Sequence, residues 1–125
     1  MRRIDTDKAP KPGGHYAQGV SQSGFVFVSG QLPIVPATGE KIKGSIEEQT
    51  QQVLENVLAV VEAAGSDKSR ILKTTVYVSD IDLWDRVNDV YAAFFGLYRP
   101  ARAVVPVKEL HHGFQIEIEA IASID

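Results

Sequence analysis

The chain has 125 residues, 44% of them hydrophobic and 23% charged, with a formal net charge of −3 and no cysteine. That length and balance fit one globular domain, residues 1–125, and exclude an intrinsically disordered chain. The lack of cysteine removes disulfides, thiolate nucleophiles and Cys-ligated zinc, and no apolar run approaches the roughly eighteen residues of a membrane span. A net negative charge argues against nucleic acid as a partner. The N-terminal MRRID turns acidic where a secretory signal needs an apolar stretch, so the cytoplasm is the expected location.

In chain order, residues 8–14 (KAPKPGG) read as a loop, because two prolines and two glycines break regular structure. Residues 16–20 are a possible short strand. Residues 25–29 (FVFVS) are a clear one, and Gln22, Ser23 and Gly24 suit a hairpin turn before it. Residues 32–44 are irregular, with Pro33, Pro36, Gly39 and Gly44. Ser45 with Glu48 has the form of a capping box that opens a helix. Its apolar stripe is Ile46, Thr50, Val53, Leu54, Val57, Leu58 and Val61, and Gly65 ends it. Residues 71–79 read as a β-branched strand that turns Leu72, Thr74, Val76 and Val78 toward a helix layer. Asp82 is placed to cap a second helix with the stripe Trp84, Val87, Tyr91, Phe94 and Phe95, which Gly96 ends. Strands over 102–108 and 114–123 complete the order β-β-α-β-α-β-β, with an optional extra N-terminal strand. The expected architecture is α/β (α+β): one mixed sheet with two helices packed on one face. The other sheet face is semi-apolar and needs a partner, which points to a homo-oligomer.

The last two strands carry the informative charges. Alternation puts Ala103, Val105 and Val107 on one face and Arg102 on the other. It likewise separates apolar Phe114, Ile116, Ile118, Ala120 and Ala122 from Gln115, Glu117 and Glu119. Arg102, Glu117 and Glu119 are therefore expected together on the face away from the helices. There they form either a cross-strand ion pair or a site for an organic acid. Asn88, a mediocre helix former between Trp84 and Tyr91, either bonds a neighbouring backbone or serves a site. Tyr16, beside Gly13 and Gly14, is a core aromatic or a pocket wall. Gly30 after Ser29 ends a strand or lets a ligand approach the backbone. His15 reads as a loop residue. His111 and His112 are expected to point different ways, and no third residue has helpful ligand spacing, so no metal site is expected. There is no Gly-rich phosphate loop, nucleophile elbow or basic aromatic stripe.

The order and spacing of several blocks nevertheless make the whole chain resemble the reactive intermediate deaminase family (RidA/YjgF, formerly endoribonuclease L-PSP). The blocks are RPARA at 99–103, QIEIEAIA at 115–122, YAQ at 16–18, FVSGQLP at 27–33, QTQQVLEN at 49–56, KTTVY at 73–77 and NDVY at 88–91. The resemblance implies a chorismate-mutase-like subunit in a homotrimer with a central β-barrel and sites in the clefts between subunits. It implies hydrolysis of 2-imino or 2-enamino acids to 2-keto acids and ammonia, with no cofactor. Arg102 would bind the substrate carboxylate, and Glu117 would position water or move protons. Tyr16 would line the pocket, Ser29 and Gly30 would flank it, Asn88 would support it, and Glu119 would contribute secondarily. The chain departs from common members at His15, Ala17, Ala103 and Val104, and where His111, His112 and Gly113 replace a Leu-Pro turn. Other functions compatible with the same residues are a non-catalytic trimeric module binding 2-keto acids, a deaminase for a larger amino-dienoate, and a ribonuclease or translation inhibitor. The acidic balance counts against the last.

Overall fold

A computed structural model describes residues 1–124. The chain runs β1 (Arg2–Ile4), β2 (Gly19–Gln22), β3 (Phe25–Gln31), α1 (Ile46–Ala63), β4 (Ile71–Val78), α2 (Trp84–Phe95), β5 (Ala101–Pro106) and β6 (Ile116–Ser123). This is the expected order, with the optional N-terminal strand present as β1. The first hairpin arm starts later than expected, at Gly19, because residues 16–18 belong to the preceding loop. The β2–β3 turn places Ser23 (φ 55°) and Gly24 (φ 83°) in the left-handed region, the backbone that joins two twisted strands in a tight hairpin.

The six strands form one mixed sheet in the order β1-β2-β3-β6-β4-β5. Only the edge pair β4–β5 is parallel, since α2 returns the chain to the same end of the sheet. Val26, Val28, Thr74, Val76, Val78, Ile116, Ile118, Ala120 and Ala122 are buried on one face under the helices. Val53, Leu54, Val57, Val60 and Val61 of α1 and Val87, Tyr91 and Phe95 of α2 close that core. Full burial of each such aliphatic side chain is worth roughly 1.5–3 kcal/mol. The opposite face is open: Phe27, in register with Ile121, is 49% exposed, and Phe25 and Val105 are exposed too.

The capping box forms as expected: Ser45 Oγ accepts from the Glu48 N–H while the Glu48 carboxylate accepts from the Ser45 N–H. The buried stripe of α1 differs slightly, with Val60 inside and Leu58 only half-buried. Two other expectations are corrected. Leu72 is 42% exposed, because an irregularity between Ile71 and Lys73 shifts the pairing with β6 and buries Ile71 in its place. Asp82 does not cap the second helix. Asp80 does the capping, its carboxylate accepting from the Asp82 N–H at the start of a short helical turn (Ile81–Leu83) that runs into α2. The helices are tied across their outer surface by a bidentate pair, Arg86 Nε and Nη2 to Glu47 at 2.8 and 2.7 Å, which holds the Glu47 carboxyl at about 2.

Three buried amides fasten irregular segments to this frame. Gln18 accepts from the Thr6 N–H and donates to the carbonyls of Thr6, Ala9 and Pro10. Gln49 joins Gly44 to Gln115. Asn56 donates to the carbonyls of Leu32 and Ile34 at 3.0 and 2.9 Å. Asn56→Ala leaves both carbonyls without that partner, and chemical denaturation is expected to show a loss of about 1–3 kcal/mol.

Candidate functional site

Register decides where the predicted residues go. β5 runs parallel to β4 with Arg102 opposite Thr74, a buried residue of the helix-facing side. Arg102 therefore points to the helix layer, and Glu117 and Glu119 point to the open face, where they pair in register with Tyr77 and Thr75. The expected cluster of Arg102 with the two glutamates on one face does not form. Alternation is correct within each strand, but the relative phase of two strands is set by their pairing.

Arg102 meets α2 at the sheet edge. Its Nη1 donates to Asn88 Oδ1 at 3.0 Å. Its guanidinium carbon lies 4.7 Å from the centre of the Tyr91 ring and 5.3 Å from that of Trp84. Tyr91 is itself held by a 2.7 Å hydrogen bond between its hydroxyl and Thr74, and burial pushes its pKa up. Among the described residues Arg102 has no carboxylate partner, since the ion pairs there are Arg70–Asp67 and Arg86–Glu47. A half-buried guanidinium is thus oriented by an amide and two ring faces, with donors left over. It lines an open cavity of about 510 Å³ together with Asn88, Tyr91, Phe95, Arg99 and Pro100. Asn88 therefore serves this arginine and not a neighbouring backbone group.

A second cavity, of about 200 Å³, lies between the 10–16 loop, the end of β3 and the residues before β6. Tyr16 is 51% exposed and is one of its walls, so it is not a core aromatic. Its hydroxyl accepts from the Gly13 N–H at 3.2 Å. Gly30 lines the same cavity at a break in the β3–β6 register between Val28 and Gln31. A side chain at Gly30 would collide with the Glu117 carboxylate, so this glycine lets the acid lie against the strand backbone. Burial raises the pKa of Glu117, with further upward pressure from Glu119 and an opposing effect of His111. Glu119 is exposed and accepts a hydrogen bond from the Tyr77 hydroxyl. Ser29 does not line the cavity; its hydroxyl donates to the Ala17 carbonyl at 2.6 Å and braces the strand behind Tyr16.

The predicted residues thus fall into two groups, Arg102 with Asn88 and Tyr16 with Gly30 and Glu117. His111 and His112, expected to diverge, instead stack with ring centroids 3.8 Å apart, because His112 takes a left-handed conformation (φ 61°). Among the described residues no cluster of three His, Cys, Asp or Glu could hold a metal ion. Sequence reasoning missed the ring cradle: apolar periodicity assigns Trp84 and Tyr91 to the core, where Tyr91 indeed lies, but Trp84 is 38% exposed and both rings face Arg102. It also missed Gln18 and Asn56, whose loops line the second cavity. A polar residue beside an apolar helix stripe was the available signal for Asn56.

Comparison with known proteins gives a consistent result. The profile of the family described as endoribonuclease L-PSP matches residues 6–124. A RutC family protein of Pyrococcus horikoshii is 49% identical over 119 residues, covering 95% of this chain and 94% of that protein. The chloroplastic Reactive Intermediate Deaminase A of Arabidopsis thaliana is 39% identical over 121 residues, 97% of this chain and 65% of its own length. Among solved structures, the YjgF gene product of E. coli superposes with a TM-score of 0.95 at 42% identity, covering all of both chains. E. coli TdcF, solved with bound serine, gives 0.94 at 40% identity and 98% coverage of each chain.

The contact at Gly30 has a direct test. Gly30→Ala should fold with a stability change of about 1 kcal/mol or less, because the clash is with the mobile end of a side chain. It should displace the Glu117 carboxylate from the strand. The Glu117 pKa, followed by NMR titration, should then move down toward the ordinary carboxylate range.

Proposed function

The chain belongs to the endoribonuclease L-PSP family, the RidA/YjgF family, and on that premise we propose that it hydrolyses reactive 2-imino and 2-enamino acids to 2-keto acids and ammonia. The observation that carries this is the unpaired Arg102 guanidinium, oriented at a cavity mouth by Asn88, Tyr91 and Trp84. A planar fork held in this way suits bidentate capture of the substrate carboxylate.

The two groups of residues act together when copies of the chain associate, the domain of 1–125 forming a homotrimer with its open sheet faces turned into a central barrel. Arg102 and Asn88 of one subunit then meet Tyr16, Gly30 and Glu117 of another in a cleft. Two features support this: Phe25, Phe27 and Val105 are exposed on the open face, and within one chain Arg102 and Asn88 line one cavity while Tyr16 and Gly30, against which Glu117 lies, line another.

The reaction asks for orientation more than for strong activation, since an iminium carbon is already electrophilic. Water adds to that carbon as Glu117 takes one of its protons. The Glu117 proton then passes to the carbinolamine nitrogen, the C–N bond breaks as the C=O bond forms, ammonia leaves, and the hydroxyl proton returns to the Glu117 carboxylate, from which it is lost to solvent. Glu117 suits this exchange because burial keeps its pKa above that of an ordinary carboxylate, so it gives up and regains a proton nearer neutrality. The Gly30 backbone and Tyr16 would wall the reacting centre. No step calls for a cofactor. A binding role without chemistry is the second reading, favoured by the serine bound to the related TdcF, and the same arginine would serve it.

Purified protein should accelerate keto-acid release from freshly generated 2-iminopropanoate or 2-iminobutanoate. Arg102→Ala should lower kcat/KM by about thirtyfold or more, in line with the roughly 2–5 kcal/mol that loss of a charged hydrogen-bond partner costs. Failure to accelerate any of several 2-imino acids, with keto-acid binding seen by calorimetry, would favour the binding module. Because the Glu117 pKa is raised, its basic form grows in as pH climbs through values above the usual carboxylate range. The kcat/KM profile should rise there, and Glu117→Gln should remove that rising limb along with most of the activity.

A further inference from the structure

The mouth of the Tyr16 cavity carries a cluster of basic side chains to which the mechanism gives no part. Lys11, His111 and His112 line it, no acidic residue is among its described lining residues, and Glu117, which lies against Gly30, is close enough to His111 for the two to act on each other. The Lys43 ammonium donates to the His112 carbonyl and sits 5.1 Å from the centre of the Phe114 ring. Lys41 is near enough, with Lys43 and His111, to press on the His112 imidazole, whose pKa is lowered first by desolvation and then by these charges. None of these five side chains belongs to an ion pair among the described residues. In a chain of net charge −3, three lysines and two imidazoles are gathered around one opening. Stacking of the two imidazoles keeps both at the rim, where their ring nitrogens can serve as donors.

We propose that this rim is a second anion site, which selects imino or enamino acids whose side chain ends in an anionic group. The 2-carboxylate goes to Arg102, the imine carbon lies near Glu117 and Gly30, and the distal anion reaches Lys11, His111 and His112. The proposal rests on the deaminase reading for its substrate and on the cavity's own charges for its selectivity. Electrostatic complementarity of this kind acts on capture of substrate, and so on KM, and weakens with added salt.

The test compares three imines generated in place by an amino-acid oxidase: 2-iminoglutarate, the imine of 2-amino-4-phosphonobutanoate, and neutral-tailed 2-iminobutanoate. It is joined by calorimetry with 2-oxoglutarate and 2-oxobutanoate. At least one anionic imine should exceed 2-iminobutanoate in kcat/KM by about tenfold at low salt, and the two anionic arms separate carboxylate from phosphonate recognition. The exposed pair Lys11→Gln and His111→Gln, made together, should bring that ratio toward one and remove the preference for 2-oxoglutarate. Hydrolysis of 2-iminobutanoate with neither an anionic preference nor a binding difference overturns the second site and leaves the deaminase reading in place. A preference that survives the double variant overturns the assignment to these residues. Tighter 2-oxoglutarate binding that the double variant abolishes, with all three imines inert, sinks the deaminase reading and retains the anion site. Inert imines with no binding difference overturn both.

Discussion

The parallel pairing of β5 with β4 at the edge of the sheet governs the site. Parallel strands need a crossover, and α2 supplies it on the helix-covered face. The crossover brings Asn88, Tyr91 and Trp84 over the strand that follows, and the pairing of Arg102 with Thr74 sends the guanidinium into their reach. Because β5 is the outermost strand, the arginine sits at a rim open to solvent and not in the core. A shift of one residue in that register would turn Arg102 to the open face and Ala103 toward α2, and the cradle would have nothing to hold.

The other cavity depends on a different device. Apart from the end of β3 its walls are irregular chain, which lacks the continuous ladder of backbone hydrogen bonds that keeps a strand in place and has only local ones such as the Ile34–Lys41 bridge. Gln18 and Asn56 replace that ladder, the first pinning residues 6–10 and the second pinning residues 32–34. The break in β3–β6 pairing then presents the bare backbone of Gly30 to Glu117. The site is thus built from segments of high conformational freedom, each fastened by a few buried side-chain hydrogen bonds to a rigid sheet and helix.

The electrostatic contrast between the cavities follows from burial and neighbours. Glu117 loses water and faces Glu119 along its strand, so its charge is costly and its proton is held longer. The Arg102 guanidinium meets ring faces and an amide oxygen, groups that orient a cation without neutralising it. Anion capture and proton exchange are therefore assigned to residues with opposite relations to solvent.

Much of this was legible along the chain. The capping box at Ser45, the hairpin turn at Ser23 and Gly24, the apolar face of β6 and the order of elements are all local, set by side chains a few residues apart. Local signals also marked Arg102, Glu117, Tyr16, Gly30 and Asn88 as unusual. What alternation could not supply was the phase between strands, because pairing joins residues far apart in sequence, such as Thr74 with Arg102 and Tyr77 with Glu117. That phase put Arg102 and Glu117 on opposite faces, made Asn88 a partner of the arginine, and made the exposed Trp84 and the buried Tyr91 of the helix stripe its cradle. The sequence by itself determined which elements form and which side chains carry charge. Only the tertiary structure decided which of those charges meet, since that depends on register and on the packing of distant segments.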